Sequence, residues 1–242
     1  MSDERDGVIT FVTALYLPSG PTFKKIDKYF ELFERLASTG ILLIVYLDSR
    51  LRERGETIRY RYPNILRIEY GVLDRGSGMR DVVLPAVRNY EKDTADYMYI
   101  QLTKLRLMSK VALEMDDGGK IAWIDFGIYH MFRDHAQCDS LLRRIAVGDF
   151  SCDRIISPGY TNFVDDWYFE NICWKHCGSL LIGEADLFIK AYMRQTELVS
   201  ENMPRLTWEV NYWAMMDEHF EIYKANHNDL ILERLVDIKG LH

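Results

Sequence analysis

Two carboxylates stand where a run of apolar residues stops. Ile41 to Leu47 is continuously hydrophobic and closes in Asp48, and Lys120-Ile121-Ala122-Trp123-Ile124 closes in Asp125. Strands buried on both faces of a parallel sheet read as such runs, and ligands of open α/β sheets sit beyond the carboxyl ends of the strands. A carboxylate at that place can hold a divalent cation, or it can cap the helix that follows. The sequence after Asp125 favours a site. Phe126-Gly127-Ile128-Tyr129-His130 supplies a glycine that lets backbone approach a ligand and an imidazole five residues on.

Other chemistries lack their residues. Gly76-Ser77-Gly78 does not have the spacing of a Walker or Rossmann loop, and neither a Gly-x-Ser-x-Gly elbow nor a His-Glu-x-x-His pair is present. An α/β chain that binds a nucleotide without these would place Mg²⁺ or Mn²⁺ on a strand-end carboxylate. Such ions accept one or two carboxylates and take phosphate oxygens as further ligands. A zinc site would have to draw on His135, Cys138, Cys173 and Cys177. The Cys173–Cys177 gap encloses Trp174 in a strand-like run and no second pair has finger spacing, so buried free thiols are the expectation.

The elements that must position these groups alternate. Val8 to Leu15 reads as a buried strand, and Pro18, Gly20 and Pro21 make a loop. Phe23, Ile26, Phe30, Phe33 and Ala37 then recur at helical spacing, with Gly40 as terminator. Strands are expected at 41–47, 65–70 and 120–125. Residues 81–117 read as two helices broken near Lys92-Asp93-Thr94, the second carrying the stripe Tyr97, Ile100, Lys104, Leu107, Val111, Glu114. Short strands at 153–157, 171–175 and 179–183 follow, mixed with helices near 134–147, 184–200 and 208–217. The pattern implies an α/β fold: a mostly parallel central sheet flanked by helices on both faces, with a mixed C-terminal half. No repeat or linker divides the chain, so residues 1–242 read as one domain, with a nucleotide-binding half (7–130) and a half that shapes a second ligand (131–242).

Composition narrows the classes. Thirty lysines and arginines against 37 aspartates and glutamates leave a net charge of −7 over 242 residues. With no basic run, sequence-independent nucleic-acid binding is not expected, because that affinity rests on neutralising phosphates. No window of about 18 uncharged apolar residues occurs, so no transmembrane segment is expected. The acidic Met1–Gly7 stretch is the opposite of a signal peptide, and four cysteines in this length suit a reducing, cytoplasmic setting.

Several pieces of the sequence carry a family likeness. They are Thr10-Phe11-Val12-Thr13-Ala14, Tyr29-Phe30 with Ser38-Thr39-Gly40-Ile41, Arg88-Asn89-x-x-Lys92-Asp93-Thr94, Gln101-x-x-Lys104 and, above all, Trp123-Ile124-Asp125-Phe126-Gly127-Ile128-x-His130. With Trp174-x-x-Cys177-Gly178-Ser179-Leu180-Leu181-Ile182-Gly183, the chain from residue 8 to about 235 resembles the HtrL/YibB-type proteins, which are bacterial and viral and considered glycosyltransferase-like.

That resemblance implies a GT-A-like single domain. It implies a glycosyltransferase that uses a nucleotide-sugar, UDP-linked by preference, with Mn²⁺ or Mg²⁺, and a glycan or other hydroxyl as acceptor. Asp125 would anchor the metal; the usual Asp-x-Asp is reduced here to Asp125 and Gly127. A further ligand would be His227, with His219 and His130 as competitors. Thr13, Ala14 and Tyr16 would line the base and ribose pocket, Asp48 would accept the uracil imide hydrogen, and Arg88 and Lys104 would face the diphosphate. For an inverting reaction the acceptor base would be Glu209, set in the first turn of a helix that follows Pro204 and that Thr207 can cap. Asp166, in the pair Asp165-Asp166 beside Trp167-Tyr168-Phe169, is the other acid. Two rivals stand beside this reading. One is a nucleotide-sugar- or glycan-binding protein without catalysis. The other is a nucleotidyltransferase, disfavoured because Leu15-Tyr16-Leu17-Pro18-Ser19-Gly20 carries no basic residue.

Overall fold

The computed structural model describes residues 7–19, 26–73, 81–115, 119–160, 167–225 and 230–241. The first strand, β1 (Thr10–Leu15), is followed by α1 (Ile26–Ser38), β2 (Leu43–Asp48), α2 (Arg52–Arg61) and β3 (Ile65–Gly71). Then come α3 (Ala95–Leu113), β4 (Lys120–Ile124), α4 (His135–Ala146), β5 (Ile155–Gly159), β6 (Leu180–Glu184), α5 (Ala185–Asn202), α6 (Glu209–Met215), β7 (Phe220–Lys224) and α7 (Leu230–Ile238).

The seven strands form one sheet in the order β3-β2-β1-β4-β6-β5-β7. The left side, β3 to β4, is parallel, whereas β6 runs antiparallel to both β4 and β5, and β7 is parallel to β5. This is the parallel sheet with a mixed second half that the sequence implies, and β4–β6 pairing carries it through both halves of the chain. Every residue of β2 is buried because helices cover both faces. Alternation along β1 sends Phe11 and Leu15 to the face covered by α1, α2, α4 and α7, and Val12 to the face covered by α3, α5 and α6.

The chain winds outward from β1 to β2 and β3, then returns past β1 through α3 to form β4. The winding direction therefore reverses between β1 and β4, and the carboxyl ends of strands at such a switch point are the usual ligand position in open α/β sheets. Asp125 is the first residue beyond β4, at that switch point.

Two expected elements are absent. Residues 81–94 form turns rather than a helix, because side chains there satisfy the backbone locally. The Asn89 side-chain oxygen accepts from the Glu91 and Lys92 amides, and Asp93 accepts from the Asn89 amide. Thr94 then caps α3 by accepting from the Tyr97 amide. Residues 171–175 are turns as well, held by the Asn211 side chain, which accepts from the Cys173 amide. The helix α2, the edge strand β7 and the helix α7 are additions to the sequence-derived element list.

Candidate functional site

Period-two alternation places Trp123 and Asp125 on the α3 face of the sheet, and α3 turns Lys104 toward them. The Lys104 ammonium lies 2.7 Å from the Gly178 carbonyl oxygen, 3.0 Å from Glu209 Oε1 and 3.2 Å from Asp125 Oδ1. Two of these contacts are hydrogen bonds, to Gly178 and Glu209, and the third is an ion pair with Asp125. The side chains of Lys104 and Glu209 are 5% and 7% exposed, that of Asp125 33%. Burial alone would favour the neutral amine; the charges of Asp125 and Glu209 overcome it and hold the Lys104 pKa above its ordinary value. Trp123 Nε1 also donates to Asp125 Oδ1, at 2.8 Å. The ion pair and this hydrogen bond fall on one oxygen, and Asp125 Oδ2 has no hydrogen-bond partner among the described residues.

Asp125 is not spent on capping. The turn Ile128–Met131 begins at Gly127 without any side-chain cap, and the Asp125 backbone bonds Ser179 and Ile128. Gly127 is buried, and a Cβ there would lie 3.0 Å from the Tyr29 ring, so the glycine admits Tyr29 rather than a ligand. His130 turns back on the same segment, its Nδ1 2.6 Å from the Gly127 carbonyl. Tyr97 and Tyr29 border the acidic group. Burial raises both phenol pKa values, and the charges of Glu209 and Asp125 raise Tyr97 further while Asp125 raises Tyr29. Both stay protonated, as donors.

Glu209 opens α6, and a polar clamp fixes that helix. The Asn211 amide donates to the carbonyls of Tyr168 and Asn171 and to Thr207 Oγ1. The Thr207 hydroxyl donates to the Tyr168 carbonyl, so it does not cap the helix as the sequence suggests.

The other sequence-derived candidates scatter. Thr13 is fully buried on β1, on the face opposite Asp125, with its hydroxyl unpartnered among the described residues. Ala14 packs on the α3 side. Asp48 accepts from Arg50 through its backbone amide, Nε and Nη2, at 2.7 to 3.0 Å, and from the Leu17 amide at 3.2 Å. Burial would raise the pKa of this carboxyl; the Arg50 and Leu17 bonds hold it below the usual range. Its oxygens thus cap the turn Ser49–Leu51 and tie the end of β1 to the end of β2. Arg88 lies in the 81–94 segment, donating to the Pro85 carbonyl and stacking 4.2 Å over Tyr90, and makes no contact with Asp125 or Lys104 among the described residues. Asp166 and His227 fall outside the described residues, and His219 sits on the turn before β7. The cysteines are free thiols, and no group of three or more His, Cys, Asp or Glu side chains able to hold a metal occurs among the described residues.

A cavity of about 260 Å³ opens between α3 and the ends of β1, β2 and β3. Tyr16 and Tyr46 line it with Glu69, Arg106 and Lys110, the last paired with Glu69. Arg106 and Lys110 share a helix with Lys104 and escaped the sequence reading. The available signal was two further cations within six residues on the same helix.

No protein-family model and no curated protein matches the chain. Solved structures that are similar to it include 4-diphosphocytidyl-2C-methyl-D-erythritol synthase from Anaerococcus prevotii, at 10% identity over 96% of this chain and 97% of that one, with a TM-score of 0.46. The inositol-1-phosphate CTP transferase from T. maritima is 8% identical over 96% and 97% of the two chains, with a TM-score of 0.45. Mouse xyloside xylosyltransferase 1 is 8% identical over 89% and 84%, with a TM-score of 0.41. No described helix is long and apolar enough to cross a membrane.

Proposed function

We propose that the chain is a glycosyltransferase that takes a sugar from a nucleotide-sugar, UDP-linked by preference, and passes it to a hydroxyl of a glycan or other acceptor. The observation that carries this reading is Asp125. Its carboxylate stands at the switch point between β1 and β4, braced on one oxygen by Lys104 and Trp123, with the other oxygen unbonded among the described residues. The HtrL/YibB resemblance supports the same assignment.

A divalent ion would fit this donor set only together with the phosphate oxygens of a nucleotide. Counted at formal charges, Lys104, Asp125 and Glu209 sum to −1, and the unbonded oxygen is the hard donor that Mn²⁺ or Mg²⁺ takes together with phosphate oxygens. Asp125 would hold the ion, with His227 the further ligand the resemblance suggests; when bound, it supplies positive charge to the diphosphate. The chain's own residues do the rest. Lys104 fixes both carboxylates in position. Glu209 keeps one oxygen on Lys104 and offers the other as the acceptor base, which must come within about 3 Å of the hydroxyl proton. The cavity beside Tyr16 suits the nucleoside, with Arg106 and Lys110 as its cations.

A second reading, nucleotide-sugar binding without turnover, is favoured by the near-complete burial of Glu209. One panel separates the two. Thermal unfolding is followed with UDP-, GDP- and CMP-sugars, with and without Mn²⁺, and UDP release is assayed in parallel. A UDP-sugar at 100 times its dissociation constant adds about 2.7 kcal/mol, which for this length raises Tm by about 5 °C. The shift should require Mn²⁺ and vanish in Asp125→Ala; a full shift in that variant overturns the anchor. Binding without UDP release under any donor and acceptor selects the second reading.

A further inference from the structure

We propose that Lys104 is a built-in cation: its ammonium stands between Asp125 and Glu209 where a divalent ion would otherwise bridge them. The free protein then presents one open carboxylate oxygen instead of a two-carboxylate metal site, and metal and nucleotide enter together. The second part of this inference rests on the reading of Asp125 as the metal anchor; the first rests on the geometry alone.

Three observations support it. The ammonium touches both carboxylates, at 3.0 and 3.2 Å, donates to Glu209 and to the Gly178 carbonyl, and is only 5% exposed, so it is occupied by the protein itself. The place is shaped for this group: a Cβ on Gly178 would lie 2.5 Å from Glu209 Oε1 and 3.0 Å from Lys104 Nζ. The Trp123 ring, 5.7 Å from Nζ at its centroid, closes another side while its N–H steadies Asp125. Lys104 therefore acts as a positioning residue. It does to Glu209 and Asp125 what an ion would do, and it does so without leaving a coordination position for phosphate.

The consequence concerns affinity. With Lys104 present, a divalent ion alone finds a single carboxylate oxygen among the described residues, a poor site for ions that take six or more oxygen ligands. A nucleotide diphosphate brings further oxygens, so each ligand should strengthen the other's binding by the same factor. Removal of the lysine side chain leaves two carboxylates and a gap between them, and a metal site appears that needs no nucleotide.

The test uses MnCl₂ alone, titrated into the full chain while thermal unfolding is recorded. Wild type should shift by less than 1 °C at millimolar Mn²⁺. Lys104→Ala should start from a lower Tm and rise with Mn²⁺, half-saturating at a concentration at least tenfold lower than wild type, and Lys104→Ala/Glu209→Gln should lose that gain. A Lys104→Ala response no stronger than wild type, or one retained in the double variant, overturns the proposal. Mn²⁺ binding to wild type, read by electron paramagnetic resonance, serves if Lys104→Ala does not fold; tight binding without nucleotide overturns the inference there too. Failure of UDP to raise the Mn²⁺ affinity of wild type overturns joint entry and the donor reading, whereas the Lys104→Ala titration still judges the built-in cation.

Discussion

Mild acid should destabilise the protein through His176. The imidazole is fully buried, tilted against Phe220 and edge-on to Trp213 at centroid distances of 4.8 and 6.2 Å. Its Nδ1 lies 3.3 Å from Ser157 Oγ, and its Nε2 faces Asp217 Oδ1 at 3.7 Å, with neither of the latter two atoms hydrogen-bonded. Burial pushes the pKa down from 6.5 to about 4; Asp217 opposes this, and Lys175, 2.7 Å from the other Asp217 oxygen, reinforces it. The native ring is therefore neutral. Between about pH 4 and pH 6.5 the unfolded chain binds a proton that the native state refuses, so stability falls as pH falls through that window and is unaffected by this group above it. A gap of about 2.5 units at 1.36 kcal/mol each gives about 3 kcal/mol, a large share of the roughly 5–15 kcal/mol that holds a domain. Urea unfolding at intervals from pH 4 to 7.5 measures the slope, and His176→Gln removes the titrating group. The variant should lose most of the wild-type slope in this window. Equal slopes in the two proteins would refute the assignment, because other carboxylates contribute the same to both.

Lys104→Met should cost about 3–5 kcal/mol, since it leaves Asp125 and Glu209 facing each other without their cation; with about 0.5 kcal/mol per kelvin for this length, Tm drops by roughly 6–10 °C. Lys104→Met/Glu209→Leu should recover a good part of that, and a simple sum of the single effects in urea unfolding would deny the coupling. Gly159→Ala puts a Cβ 2.2 Å from the Lys175 carbonyl oxygen, a backbone atom that cannot rotate aside. A loss of about 1–3 kcal/mol is expected, and a change below about 0.5 kcal/mol in the same assay counts against this packing. Asn211→Ala strips the clamp between α6 and residues 168–173 and removes the side-chain acceptor of the Cys173 amide. At least about 2 kcal/mol should be lost, with faster hydrogen exchange across 168–173 than in the rest of the chain.

Much of the sheet was legible because a strand buried on both faces reads as a nearly continuous apolar run, as β1, β2 and β4 do. The edge was not. β7 alternates, Phe220-Glu221-Ile222-Tyr223-Lys224, and gains its place by pairing with β5 across more than sixty residues of chain, a contact no local pattern announces. Residues 81–94 have a helix-compatible composition, yet the decisive contacts are the Asn89 and Asp93 side chains on nearby amides. Thr13 illustrates the cost of a missing face assignment: it sits one residue from Ala14 and points to the opposite side of the sheet. Lys104 was legible in part. A lysine inside the stripe Tyr97, Ile100, Leu107, Val111 calls for an acidic partner, but the choice of Glu209, 105 positions away, is set by the tertiary fold.

Asp48 and Asp125 show most plainly where sequence reading ends. Both close an apolar strand at the same edge of one sheet, and both are aspartates at a place suited to ligands. Their fates part on immediate neighbours. Arg50, two residues after Asp48, folds back to fill both oxygens while the turn takes a cap from the same group. Trp123, two residues before Asp125, reaches forward to one oxygen, and Gly127 starts the next turn without drawing on the carboxylate. In this chain the strand-end carboxylate followed at the second position by arginine has both oxygens taken up by the fold, whereas the one followed by glycine has one oxygen unbonded among the described residues. Arg50→Ala would remove only the guanidinium bonds, and the amides of residue 50 and Leu17 would still hold both Asp48 oxygens.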